Sequence, residues 1–466
     1  MEVSWLNSLE SNNIAINSNL YEELLQPQKI VVHYGMLEVS LAVLINNELS
    51  EGTIGLPMNF TDQYTIPKDI PYETYFKEGA LYIGPIILHV SLGSKQFKRK
   101  SYAFNLPMFL DYASIKGLIV TCTEKSIDVD SGIVEGYYLD PKAKNLKNAW
   151  KYGKFPLPNA IFNHSFMSQK KVTAIQNKIG NRIFNTYLLN LDKWNTWKFL
   201  SQNDMLKKYI PYTEKYTSTK QLKSLLNRYG SLYLKPCNDG GGMGIMKLDK
   251  TKTGITLIDN NRKKHSFSNY QELSQFLKTR IASIAQQSAH FKTNSPLLSQ
   301  FLGNKLTTSY IVQQSVHFKK NDHHVDFRLV LQKNSNLEWH FTGLVARIAH
   351  KGSIITNKRG RQKMISGRTA LTSIYGVSEE RTQKIETEMT NVVIKTVEMY
   401  EKLGYHLGDV VADIALDSNF NIWLLELQLY YSINGWRTKG LRNFFVNVAT
   451  TPFKYAKALA GFIESQ

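Results

Sequence analysis

Short apolar runs separated by glycine, proline and asparagine dominate the chain, and that rhythm reads first as β-structure. In the first hundred residues, Ile30–Gly35, Met36–Val43 and Ala80–Val90 predict strands. Between about 101 and 200 the signals mix. Gly117–Thr123 and Gly132–Leu139 read as strands, and Trp150–His164 carries two prolines ahead of a further apolar run. Beyond about 201, a helix over Thr219–Tyr229 leads into two strands around a glycine loop. Three strand-like runs follow: Tyr310–Val316, Val325–Gln332 and Trp339–Ala349. Val392, Val393, Thr396, Val397 and Tyr400 recur at helical spacing, so a long helix is predicted over Ser378–Leu403. Two more strands and a closing helix near Pro452–Ile463 end the pattern. These shifts predict a β-rich N-terminal domain over 1–100, an α/β region over 101–200 and a third domain over 201–466.

Composition narrows the class. At 466 residues the chain exceeds one ordinary core, and about two to four domains are expected. With 42% hydrophobic and 20% charged residues it reads as globular, not disordered. Lys and Arg number 57 against 38 Asp and Glu, a net charge of +19. Such a chain attracts anions, although a solvated basic surface gives the same count. No aromatic RNP motif or zinc-finger spacing is present, so nucleic acid is not an expected partner. Two cysteines, Cys122 and Cys237, make no disulfide framework and point to a reducing compartment. The N-terminus lacks a secretory pattern, and no run approaches the ~18–20 apolar residues of a membrane span. The protein is expected to be made and kept inside a cell.

Four segments carry chemistry. The first, Ser231–Leu248, places Lys235 before a loop holding Gly240, Gly241, Gly242 and Gly244, with a strand on either side. No Gly-Lys-Ser/Thr follows, so it is not a Walker A loop. A strand, not a helix, comes after it, so it is not a dinucleotide fingerprint. No HRD or DFG sequence of a protein kinase lies downstream. A glycine hairpin lets backbone N–H groups close over phosphates, with Lys235 beside them. An ordinary surface hairpin is the competing reading.

The second segment, Val410–Leu429, reads as two strands joined at a turn. A four-residue loop, Ser418–Asn421, pairs Asp417 with Ile422, Asp413 with Glu426 and Val411 with Gln428. Directly opposed Cβ atoms lie about 4.5–5.5 Å apart, so the two acids repel unless a cation stands between them. Glu426 and Gln428 share a face by the period of two. Asp413, Glu426 and Gln428 thus suit one or two Mg²⁺ ions shared with phosphate oxygens. Solvated acids on an edge hairpin are the alternative, which Leu424, expected on the face of Glu426, argues against.

The third segment, Val325–Gln332, projects Asp326 and Arg328 from one face. Arg328 is a candidate to clamp a phosphate or a transferring group, or one half of a surface ion pair. Arg347 is a second candidate with the same ambiguity. The fourth, Thr356–Lys363 followed by Arg368, is a basic loop that either meets an acidic substrate or is simply solvated. His323 and His324 read as a surface turn rather than a metal site.

In order and detail these pieces resemble an ATP-grasp module of the YheC/YheD family of endospore coat-associated proteins. The resemblance runs from about residue 75 onward, through YFKEGALYIGPIILHV, FPLPNAIFNH, DKWNTWKFLSQN, LKPCNDGGGMGI, YIVQQSV, DFRLVLQKN, FTGLVARIAHKGSIITN and WLLELQ. It implies an α/β (α+β) chain in which an ATP-grasp core holds nucleotide between two antiparallel-sheet lobes. A small α/β layer and a β-rich domain precede that core. It implies ATP and Mg²⁺ as cofactors, Lys235 and the weaker match Lys198 as nucleotide-facing lysines, and Gln313, Gln314, Ser315 and Val316 as the hinge that meets adenine. It also implies Arg328 as the phosphate or intermediate arginine, and Asp413 and Glu426 as metal ligands.

Two departures stand out. ATP-grasp proteins usually carry Glu-x-Asn where this chain has Glu426-Leu427-Gln428, and Lys358-Arg359-Gly360-Arg361 replaces the paired glycines usual in the family. The leading expectation is a carboxylate–amine (or thiol) ligase working through an acyl phosphate, with Lys235 and Arg328 as catalytic cations. A coat component that kept the fold and lost turnover competes with it, as does a small-metabolite kinase. Expected partners are a nucleotide, a carboxylate or amine substrate of acidic character, and spore coat proteins. The expected location is the mother-cell cytoplasm or the spore coat.

Overall fold

The computed structural model describes residues 1–91, 112–186, 192–238, 242–293, 309–316, 319–320, 323–431, 433, 436 and 440–462. Four sheets follow one another along the chain. The first is mixed and seven-stranded, and is built within residues 2–84. Its strand Lys29–Tyr34 buries Ile30, Val32 and Tyr34 while Lys29 and Val31 face out, the alternation of a half-buried strand.

The second sheet spans residues 86–184 and has a parallel centre. Ile86–Ser91 lies between Leu118–Thr123 and Ala160–Asn163, and all three run the same way. Every residue of Ile86–Ser91 is buried, as expected for a central parallel strand covered on both faces. The run expected as one strand, Ala80–Val90, is therefore two. Ala80–Gly84 closes the first sheet and Ile86–Ser91 opens the second. Pro85 separates them, because its ring nitrogen has no hydrogen to give to a ladder.

The third sheet is antiparallel, in the order Thr213–Lys215, Tyr310–Gln314, Ser231–Pro236, Met246–Thr251, Gly254–Asp259, Lys264–Phe267. One face carries Leu232, Leu234, Leu248, Leu257, Tyr310 and Val312. It packs on Leu222 and Leu226 of the helix Thr219–Tyr229 and on Leu273 and Leu277 of the helix Tyr270–Thr293.

The fourth sheet, also antiparallel, runs Arg361–Ser366, Trp339–Ala349, His323–Lys333, Asp409–Leu416, Ile422–Gln428. The helix Glu379–Glu401 covers one face through Ile385, Met389, Val393 and Val397. Its N-cap Ser378 accepts from the Arg381 N–H, a cap of about 1 kcal/mol. The opposite face packs at Val330 and Val411 against Phe445 and Val448 of the last helix, Arg442–Leu459. That helix begins ten residues before the expected Pro452. The proline sits inside it, held where Phe453, Tyr455 and Ala456 join the core of the second sheet. Tertiary packing on two sheets outweighs the local penalty of an interior proline.

Candidate functional site

The expected pairing of the acids is present. Asp413 faces Glu426 and Val411 faces Gln428. At the turn the register differs from expectation, since Leu416, not Asp417, pairs with Ile422. The loop is one residue longer, with Asp417 capping it by accepting from the Asn419 and Asn421 N–H groups at 2.9 Å each. A bulge between Leu424 and Glu426 restores the register at the acids. It also corrects the placing of Leu424, which pairs with Ile414 and joins the core beneath the sheet, away from Glu426.

Around Asp413 the fourth sheet assembles a dense ionic network. Arg328 on the adjacent strand forks onto it, with Nε 2.8 Å from Oδ1 and Nη2 3.0 Å from Oδ2. Arg347 lies 2.9 Å from Oδ2. Burial pushes the Asp413 carboxyl up, but the two guanidiniums outweigh it and hold it at about 2. Arg347 also forks onto buried Asp326 at 2.7 and 2.6 Å, and Asp326 accepts from Thr356 Oγ1 as well. Burial disfavours the Arg347 cation, yet Asp326 and Asp413 together hold its pKa above the usual guanidinium value. Both arginines face carboxylates inside the molecule, so neither forms a surface pair.

Gln428 bridges this network to Glu426. Its Oε1 accepts from Arg328 Nη2 at 3.3 Å, and its Nε2 donates to Glu426 Oε2 at 2.8 Å. Glu426 is the most exposed of the charged groups, with a side chain 37% accessible and Lys193 3.8 Å away.

Lys235 approaches from the third sheet. Together with Tyr233 and Gln313 it occupies the face opposite the leucine core. Its Nζ donates to Gln313 Oε1 at 2.6 Å, and Gln313 Nε2 donates to Thr213 Oγ1 at 3.0 Å. Burial lowers the Lys235 pKa to about 8. Glu426, Asp413 and Asp326 pull it back up, while Lys193 opposes them. The lysine of the third sheet and the acids of the fourth therefore share one electrostatic environment. Five cations (Lys193, Lys235, Arg328, Arg347, Arg361) meet three carboxylates there, leaving an excess of positive charge suited to a polyphosphate.

Gly242 and Gly244 have φ of +73° and +70°, the left-handed region that favours glycine. A Cβ on Gly242 would meet the Asn357 side-chain nitrogen at 2.2 Å, so the basic loop of the fourth sheet lies directly on the flap. Tyr233 Oη donates to the Ile354 carbonyl at 3.1 Å in the same contact. Gly240 and Gly241 fall outside the described residues.

The chain crosses from third to fourth sheet just after Gln314. The Gln314 N–H donates to the Tyr212 carbonyl at 2.8 Å and the Ser315 N–H to the Ser231 carbonyl at 3.1 Å. Val316 already packs on Ala415, Trp423 and Leu425 of the fourth sheet. Lys198 is not brought to the site; it is exposed near the end of the helix Lys193–Leu200. Lys193, at the start of that helix behind the N-cap Asp192, is the lysine that arrives. The signal for it was the helix-opening Asp-Lys pair. His323 and His324 start a strand rather than sit in a turn, and His323 Nδ1 lies 2.8 Å from the Ala349 carbonyl.

Among the described residues no group of three or more His, Cys, Asp or Glu is arranged to hold a metal ion by itself. Two carboxylates, Asp413 and Glu426, and the Gln428 amide do converge, and magnesium is ordinarily held by one or two carboxylates with phosphate oxygens. The oxygen types suit that ion, with Glu426 the accessible carboxylate and Asp413 held by Arg328 and Arg347 in this structure.

Comparison with known proteins places the chain in a family. Residues 180–459 match the family model described as YheC/D like ATP-grasp. The chain is 22% identical over 390 residues to the endospore coat-associated protein YheD of Bacillus subtilis (strain 168), covering 81% of this chain and 79% of that protein. It is 25% identical over 243 residues to the endospore coat-associated protein YheC of the same organism, covering 51% of this chain and 58% of that one. Among solved structures, the VanG D-Ala:D-Ser ligase of Enterococcus faecalis is similar at 12% identity and a TM-score of 0.43, covering 81% of this chain and 98% of that one.

Proposed function

The chain belongs to the YheC/D-like ATP-grasp family and has the ATP-grasp fold, and on that footing we propose that it binds Mg-ATP between its third and fourth sheets and activates a carboxylate as an acyl phosphate. The observation that carries this reading is the shared field of Lys235, Glu426 and Asp413, contributed by two different sheets. Lys235 and Lys193 would hold the α- and β-phosphates, with the Gly242–Gly244 backbone closing above them. The Gln313–Val316 crossing would meet the adenine. Asp413, Glu426 and Gln428 would hold magnesium, which would neutralise phosphate charge during transfer.

A substrate carboxylate oxygen would attack the γ-phosphorus, breaking the bond to the β-phosphate oxygen and releasing ADP. An amine would then attack the acyl carbon, expelling inorganic phosphate and giving up a proton. Arg328, fixed by the fork to Asp413, would orient the transferring group and stabilise the charge that develops on it. The work of the protein is placement and neutralisation, since no nucleophile is needed. A thiol acceptor fits the same scheme, and a small-metabolite kinase would share the nucleotide site and differ only in the acceptor.

A second reading has its own observation. Asp413 is fully occupied by two arginines, and Gln428 is one methylene longer than the asparagine usual in ATP-grasp proteins. A spore coat-associated protein that binds nucleotide without turnover would tolerate both features. For either reading we propose an association with spore formation or the spore coat, by analogy with the names of YheD and YheC.

ADP release with a panel of amino acids and peptides, alongside the thermal shift given by Mg-ATP, tests the proposal. Release that Glu426→Gln abolishes supports the ligase. A Mg-ATP shift without ADP release supports the second reading, and no shift at millimolar Mg-ATP rejects both.

A further inference from the structure

Beside the proposed cleft, a cavity of about 270 Å³ is lined by Met243, Gly244, Asn260, Asn261, Arg280, Ile284 and Arg359, and so shares the glycine hairpin with it. It borders the helix-covered face of the third sheet. Gly244 backs onto Tyr310 and Ile284, and Tyr310 belongs to the helix-covered face of the third sheet. Lys235 and Gln313 project from the opposite face.

The lining contains two guanidiniums and no acid. Arg280 is braced from behind, its Nη2 3.2 Å from Oδ2 of buried Asp259, and among the described residues no other partner of its guanidinium is seen. Arg359 arrives from the basic loop of the fourth sheet. Its backbone N–H donates to Asn357 Oδ1 at 3.1 Å, which fixes the loop, and its exposed guanidinium has no carboxylate within ion-pair distance among the described residues. Asp259 already matches the charge of Arg280, so Arg359 brings one uncompensated positive charge to the cavity, and forked guanidiniums match the geometry of phosphate and carboxylate. The side chains of Asn260 and Asn261 add neutral donors.

We propose that this cavity is an oxyanion site, in which Arg280 and Arg359 clasp a phosphate or carboxylate and tie the glycine flap to the basic loop. One arginine comes from the third sheet's helix and the other from the fourth sheet's loop, so the ligand bridges the two lobes. The ligand is either a free phosphate or an acidic group of the protein's substrate. The inference rests on the cleft reading only for the role of the flap; the anion site itself does not need it.

The test is calorimetric titration of inorganic phosphate and, separately, of hexaglutamate. Both are added to protein saturated with a non-hydrolysable Mg-ATP analogue, so that the cleft is filled, and to nucleotide-free protein. Binding of one or both anions to the saturated protein is expected, weakened at least tenfold in Arg359→Gln and in Arg280→Gln. Arg359→Gln is exposed and keeps the fold, so its thermal shift with the analogue should equal that of the unaltered protein. Phosphate binding alone assigns a free anion, and hexaglutamate binding assigns an acidic substrate group. No binding of either anion, or binding unchanged by Arg359→Gln, overturns the proposal. If the analogue itself fails to bind, the cleft reading fails, and the nucleotide-free titration with Arg359→Gln still decides the anion site.

Discussion

Arg328 and Asp413 meet across adjacent antiparallel strands in a two-pronged contact, with guanidinium nitrogens 2.8 and 3.0 Å from the two carboxylate oxygens. Arg347 adds a third donor at 2.9 Å. All three groups are largely buried, so their charges depend on one another. Removing Asp413 leaves two guanidiniums short of a counter-charge. Asp413→Ala is expected to lose about 3–5 kcal/mol of stability, the usual cost of breaking a buried pair from one side. Urea unfolding measures it, and a loss under about 1 kcal/mol would show that water already solvates the arginines.

Lys235 has a pKa near 8 in the absence of nucleotide, because burial disfavours its charge. A triphosphate beside it should raise that value. Below pH 8 the lysine is charged in both states and Mg-ATP binds at full strength. Above pH 8 binding must take up a proton, and affinity should fall by up to tenfold per pH unit. Calorimetry at pH 8.5 in two buffers of different ionisation enthalpy should reveal that uptake. Lys235→Met should abolish it; uptake that persists in the variant assigns it to another group.

Lys193 and Lys198 offer a controlled comparison within one helix. Lys193→Met should weaken Mg-ATP binding by about tenfold, ~1.4 kcal/mol, while Lys198→Met leaves it unchanged. Equal effects from the two variants would contradict the placing of Lys193 in the cleft.

Gly242 joins the flap to the basic loop. Gly242→Ala forces a side chain into the left-handed region, at roughly 1–2 kcal/mol, and against Asn357. Weaker Mg-ATP binding is expected, with recovery in Gly242→Ala/Asn357→Gly. Unchanged binding in the single variant would mean the flap moves freely of the loop.

Much of this was legible in the sequence, for reasons visible in particular residues. Asp413 and Glu426 were paired correctly because two offsets cancel: the loop is one residue longer than the polar turn suggests, and the bulge at Leu425 takes that residue up again. The bulge was hidden because Leu424 and Leu425 are both apolar, so an extra residue leaves no mark on the pattern. On the helix Lys193–Leu200 the resemblance implies Lys198 alone; Lys193 stands five residues earlier, and on a helix of 3.6 residues per turn that places it on a different side. The Arg347–Asp326 fork required knowledge of which strands are neighbours. The division of Ala80–Val90 between two sheets rests on a proline that an unbroken apolar run conceals. The long last helix was shortened by reading Pro452 as its start, a common position for proline.

The central claim is that Lys235 and Glu426, from opposite sheets, act on the same nucleotide. Calorimetric Mg-ATP affinities of the unaltered protein, Lys235→Met, Glu426→Gln and the double variant test it most directly. The account expects each single change to weaken binding at least tenfold, with the double variant departing from additivity by about 1 kcal/mol or more. Singles that bind like the unaltered protein, or effects that simply add, would contradict it.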